Sequence, residues 1–153
     1  MHHQAQSHHG TRLSRVQRSA VYAVFGGAWL SGALWLVFHY FLRRDGEFGL
    51  EPNPLEPWWL RLHGLCTFAL LWLGGLIWAM HARHAMRWTQ RRASGLAIVF
   101  AFCTLAATGY LLYYADEGAL RDAIGIAHWV AGLSLLVPVA GHVLPRRMGR
   151  APD

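Results

Sequence analysis

Four of the ten histidines stand where a largely apolar sequence has little evident use for an imidazole: His63, His81, His128 and His142. The last two bracket the run HWVAGLSLLVPVAGH. Their spacing of fourteen residues corresponds on an α-helix to a rise of about 21 Å, with the two positions roughly 40° from perfect alignment. His63 and His81 are eighteen residues apart, which is five whole turns or about 27 Å. Each pair therefore shares one helix face, with one imidazole toward each end. Neutral imidazole is a strong axial ligand for iron in a porphyrin, and apolar surroundings suit the macrocycle. Zinc needs four converging ligands, which positions spread over about 20 Å of helix do not supply. A relay of protons through imidazoles ordinarily recruits Asp or Glu within the membrane. Here every carboxylate falls outside the apolar runs.

The elements that must carry these histidines are four apolar stretches, roughly residues 20–42, 58–80, 93–115 and 123–144. Each is close to the ~20 residues needed to cross a bilayer. A composition that is 54% hydrophobic, with eight Trp and only 14% charged residues, agrees with such a chain. The expected organisation is a disordered His- and Arg-rich segment over 1–19, a four-helix transmembrane domain over 20–145 and a basic tail over 146–153. The first apolar run is long enough to remain in the membrane and no small-residue cleavage site follows it, so no signal peptide is expected.

A formal charge of +6 raises the question of nucleic acid, but the arginines alternate between connections in a way that answers it. Arg12, Arg15 and Arg18 precede the first span, Arg83, Arg87, Arg91 and Arg92 lie between the second and third, and Arg146, Arg147 and Arg150 follow the fourth. The other two connections carry Asp45, Glu47, Glu51 and Glu56, and Asp116, Glu117 and Asp122. This pattern places both termini on the cytoplasmic side of a membrane and gives no role to nucleic acid. With a short connection between the last two spans, the expected fold is all-α, an integral membrane up-down four-helix bundle. Cys66 and Cys103 fall within spans and read as small packing residues rather than a disulfide. Pro138 should free the carbonyl of Ser134 and kink the last span.

In such a bundle His63 and His128 share the outer level, and His81 and His142 the inner one, so two helices each present an imidazole at both levels. Two haems stacked along the membrane normal would form an electron path. At this point the sequence resembles the four-helix, di-haem b-type cytochromes of bacterial membranes, such as the cytochrome b subunits of respiratory formate dehydrogenases and hydrogenases. The resemblance rests on His128-x13-His142 in the last span and on Arg61-Leu62-His63-Gly64 in the second. It implies haem b held by histidine pairs, location in the inner membrane, and electron exchange with quinone or a redox partner protein. Some relatives carry an inner ligand early in the first helix, where this chain has no histidine between Ala20 and Leu30. The inner partner of His142 must then be His81 or His84, and His81 fits the face of His63.

Other residues have assignable roles at these levels. His39, close in depth to His63 and His128, is an alternative ligand, a propionate or quinone contact, or an interfacial histidine beside Tyr40. Arg61 and Arg44 are candidates to pair haem propionates at the outer face, as Arg83 and Arg87 are at the inner. Gly109 near the outer level, and Gly26 and Gly27 near the inner, are candidate porphyrin faces. The expected function is electron transport by a membrane cytochrome b, as a subunit of an oxidoreductase complex or as a homodimer in lipid. The competing expectation is a haemless assembly protein whose histidines satisfy hydrogen bonds between helices.

Overall fold

A computed structural model describes residues 14–47, 49–78 and 92–143, without the side chains of 92–94, 142 and 143. Helix α1 covers Arg15–Phe41. It starts inside the stretch 1–19 expected to stay unfolded, for a local reason. The Ser14 hydroxyl accepts the Gln17 N–H at 3.1 Å, and the Gln17 side chain accepts the Ser14 N–H at 2.9 Å. This capping box satisfies two donors at the helix start and extends the helix beyond its apolar run.

A hairpin follows, β1 over Arg44–Gly46 and β2 over Gly49–Glu51, with Arg44 opposite Glu51 and Gly46 opposite Gly49. Gly49 has φ +121°, a conformation open to glycine and strained for other residues. Asn53 then joins the two hairpin helices. Its Nδ2 donates to the Leu42 carbonyl at 3.0 Å, closing the end of α1, and its Oδ1 accepts the Leu55 N–H at 3.0 Å, starting the next helix. Helix α2 covers Glu56–Ile77, with Pro57 in its first turn, where a missing N–H costs nothing.

Helix α3 covers Arg92–Tyr114, and α4 covers Ala119–Ser134. The turn between them uses Gly118 at φ +139°. Arg121 reaches back from α4 so that one guanidinium nitrogen donates to both Leu112 O at 2.6 Å and Ala115 O at 2.8 Å. It thereby satisfies carbonyls that the end of α3 leaves without helical partners. The last span is divided at Leu135, and α5 covers Leu136–Val143. The break adjoins Ser134, whose carbonyl cannot be engaged by Pro138.

Four segments are long and apolar enough to cross a membrane: Arg15–Phe41, Glu56–Ile77, Gly95–Tyr114 and Ala119–Gly141. Their outward surface is apolar, with Leu65, Phe68, Trp72, Phe100 and Val137 exposed. That surface suits hydrocarbon rather than water. α1 packs along α2, and α3 packs along α4 and α5. Between these two helical hairpins, α1 meets α4. Few described residues are fully covered, namely Ala28, Ser31, Leu135 and Asn53.

Candidate cofactor-binding site

Ala28 and Ser31 belong to the centre of α1, and beside them His63 crosses from α2. Its Nδ1–H donates to the Ala28 carbonyl at 2.8 Å. The Ser31 hydroxyl donates chiefly to the Gly27 carbonyl at 2.6 Å and lies 3.1 Å from that of Ala28. A carbonyl oxygen only accepts, so Nδ1 carries the proton and, in a neutral ring, Nε2 carries the lone pair. A Cβ on Gly32 would stand 3.0 Å from both Cε1 and Nδ1 of His63. The absence of a side chain at Gly32 is what lets the ring lie against α1.

The second hairpin repeats this arrangement with different atoms. Nδ1 of His128, on α4, lies 2.8 Å from the Thr108 hydroxyl oxygen of α3, and that hydroxyl lies 2.7 Å from the Thr104 carbonyl. Both contacts are satisfied at once only if Thr108 donates to Thr104 and accepts the Nδ1–H of His128. The lone pair of His128 is again on Nε2. Gly109 supplies the clearance, since a Cβ there would stand 3.3 Å from Cε1 of the ring.

The two imidazoles meet across the hairpins with centroids 6.3 Å apart and planes at 85°. Two metal–nitrogen bonds of about 2.0 Å and two ring radii of about 1.1 Å sum to roughly this separation for a metal held between two imidazoles. Among the described residues no group of three or more His, Cys, Asp or Glu side chains converges to hold an ion. A metal between His63 and His128 would thus need its remaining ligands from a group that brings them, which is what a porphyrin does. Three indole N–H groups, those of Trp29, Trp59 and Trp129, are buried with no acceptor among the described residues. Two imidazoles with Nδ1 engaged and centroids 6.3 Å apart are a donor set compatible with a metal held between them, and the clearances at Gly32 and Gly109 are taken up by the imidazole rings themselves.

The remaining expected residues fall elsewhere. His39 has its own partners, with Nδ1 2.6 Å from Oε1 of Glu56, its ring stacked on Trp35 at 4.6 Å, and Tyr40 edge-on. The guanidinium of Arg61 lies over the Trp58 ring at 4.9 Å from its centroid. Gly109 stands at the expected level, but against the His128 ring. A Cβ on Gly26 would meet nothing within 4 Å, and one on Gly27 would stand 3.0 Å from Sγ of Cys66. His142 is on α5, beyond the break at Leu135, so its rotation from His128 is not that of one continuous helix. His81, His84, Arg83 and Arg87 lie outside the described residues.

Gly32 reads in the sequence as one of several glycines open to close approach of a flat ring, and that ring is the His63 imidazole; sequence reasoning missed Thr108 and the Ala28 carbonyl. A signal existed for Thr108, a hydroxyl next to Gly109 in an otherwise apolar span. A backbone carbonyl leaves none. Comparison with protein-family models, with curated proteins and with solved structures finds no match to this chain.

Proposed function

We propose that this chain is a membrane electron carrier of the b-type cytochrome kind, holding haem b between His63 and His128. The observation that carries the reading is the opposed pair itself. Each imidazole commits Nδ1 to its own hairpin, which leaves an Nε2 lone pair on each of two rings whose centroids lie 6.3 Å apart. When bound, haem would supply a one-electron couple at iron. The chain's part is to fix tautomer and ring orientation, to raise ligand basicity through the two Nδ1 hydrogen bonds, and to surround the site with apolar helices.

The four apolar helices and the alternating arginines support a multi-pass inner-membrane protein with both termini cytoplasmic. His142 and His81 are the proposed ligands of a second haem toward the cytoplasmic side. Quinone or a redox partner protein would exchange electrons with the chain, which would serve alone, as a homodimer, or as a subunit of an oxidoreductase.

A second reading draws on the same hydrogen bonds, because His63 to Ala28 and His128 to Thr108 also clamp helix to helix. Such bonds within membranes average only about 0.6 kcal/mol. A clamp also gives no reason for the two rings to come within 6.3 Å of each other across the hairpins. The test is direct. Protein purified in detergent after expression with ample haem should show reduced b-type absorption bands and a pyridine haemochrome. A folded, colourless preparation would overturn the haem reading in favour of the clamp.

A further inference from the structure

The His63 and His128 pair makes no use of the polar cluster where α1 and α2 meet the β1–β2 hairpin. We infer that His39 and Glu56 form a proton-exchange site there. It takes up one proton from the aqueous phase on the hairpin side when an electron arrives between His63 and His128, and it returns that proton when the electron leaves. The inference rests on the haem reading above.

The pairing is selective. His39 Nδ1 and Glu56 Oε1, 2.6 Å apart, form the one acid–base contact within 4 Å among the described residues. Guanidinium groups are at hand in sequence, with Arg43 and Arg44 just after α1 and Arg61 early in α2. Arg61 instead covers Trp58. A guanidinium keeps its charge at every physiological pH, whereas an imidazole exchanges its proton readily with water. The partner that Glu56 has is the one able to pass a proton on.

The carboxylate is incompletely satisfied. Its second oxygen, Oε2, is buried and has no hydrogen-bond partner among the described residues. A proton there would turn an unmatched acceptor into a hydroxyl and remove a buried charge. Exposure supplies the route, since the His39 side chain is 36% exposed and that of Glu56 only 12%. The imidazole is the more accessible of the two groups, and Trp35 and Tyr40 hold that ring in place.

Position supplies the coupling. Glu56 lies seven residues before His63 on α2, almost the same face and about 10.5 Å along the axis. At an effective dielectric of about 20, a unit charge roughly 12 Å away changes a proton affinity by about tenfold. The other charged or titratable groups at this end are Tyr40 on α1, Arg43, Arg44, Asp45, Glu47 and Glu51 around the hairpin, Arg61 on α2, Tyr110, Tyr113 and Tyr114 at the end of α3, and Asp116, Glu117, Arg121 and Asp122 where α3 turns into α4. Arg121 is committed to the carbonyls of α3. Among the described residues none of these forms an ion pair with the dyad. The balance is simple: a one-electron donor adds an electron, water on the hairpin side adds a proton to the dyad, and oxidation releases both.

The experiment uses the full chain in lipid nanodiscs at measured haem content. Proton uptake on reduction is followed with a pH-indicator dye, the midpoint potential is followed against pH, and infrared difference spectra report the carboxyl. Wild type should take up protons on reduction, and its potential should fall as pH rises, because low pH favours the protonated, reduced form. Glu56→Gln and His39→Gln should keep haem and visible spectrum yet lose the uptake and the slope, and the carboxyl band should vanish in Glu56→Gln. His39→Gln leaves the acidic first turn of α2 intact, so it decides the matter should Glu56→Gln fail to fold. Haem-loaded variants with wild-type proton uptake, or wild type with none, would overturn the inference alone. Wild type without haem would overturn the underlying reading and the coupling with it.

Discussion

His63 and His128 come from different helical hairpins, yet their rings stand 6.3 Å apart at nearly a right angle, each with Nδ1 bonded to the helix paired with its own. Neither bond crosses between the hairpins. A ligand shared by the two rings would therefore also link the two halves of the fold.

Removing one ring should break that link at a single ligand. His63→Ala and His128→Ala should each lose one haem or leave a five-coordinate, high-spin iron, visible in the Soret and charge-transfer region. Insertion into the membrane should continue, since the apolar spans are untouched. Low-spin spectra identical to wild type in both variants would exclude the pair.

The two anchors differ in a way mutation can exploit, because His63 is held by a backbone carbonyl and His128 by a side-chain hydroxyl. Thr108→Val removes the acceptor of His128 at little change in volume and should weaken haem retention by about 10–100-fold, the usual cost of losing an outer-shell partner. Thr108→Ser keeps the oxygen and should stay near wild type. Equal retention in the Val and Ser variants, measured by haem transfer to apomyoglobin, would deny Thr108 this positioning role.

Clearance is graded between the two rings. A Cβ at Gly32 would meet two atoms of His63 at 3.0 Å, whereas one at Gly109 would meet His128 at 3.3 Å. Gly32→Ala should consequently reduce haem per chain more than Gly109→Ala. The opposite order would show that the glycines serve helix packing rather than the rings.

The level at which the imidazoles meet was legible because histidine depth follows from span direction, which the arginine pattern suggests and the spacing refines. Gly109 was expected as a porphyrin face at that level, and the ring it stands against is the His128 imidazole. What sets the rings' rotation was not legible, because Ala28 acts through its backbone carbonyl and Thr108 through a hydroxyl that an apolar span gives no reason to pair with His128. The start of α1 escaped hydropathy because Ser14 and Gln17 stabilise it through polar capping. The hairpin at Arg44–Glu51 escaped because pairing of such short strands depends on the glycine turn and leaves no hydropathy signal.

Arg121 should matter for stability rather than for colour. Its bonds to Leu112 O and Ala115 O are charge-assisted, a class worth about 1.5–3 kcal/mol each when well shielded and less at a half-buried position. Arg121→Ala should lower resistance to unfolding in mixed micelles by about 1–2 kcal/mol while leaving the absorption spectrum of folded protein unchanged. Unaltered stability would mean that water satisfies those carbonyls equally well.

The last prediction concerns the two histidines of the final span. His128 and His142 are separated by about 21 Å of helix rise, so they cannot ligate one iron. If both are ligands, each chain carries two haems, and pyridine haemochrome against protein concentration should read two. His142→Ala and His81→Ala should each lower that count to one and spare the haem between His63 and His128. The division of the span at Leu135 adds a sharper test, because the direction in which α5 presents residue 142 depends on it. Pro138→Ala gives the Ser134 carbonyl an N–H within helical reach and should straighten the break. It should disturb the His142 haem, seen as a split or shifted α-band, and leave the other spectrum intact. One haem per chain in wild type, unaffected by His142→Ala, would leave the His63 and His128 site as the only one and return His142 to the role of a polar residue near a membrane surface.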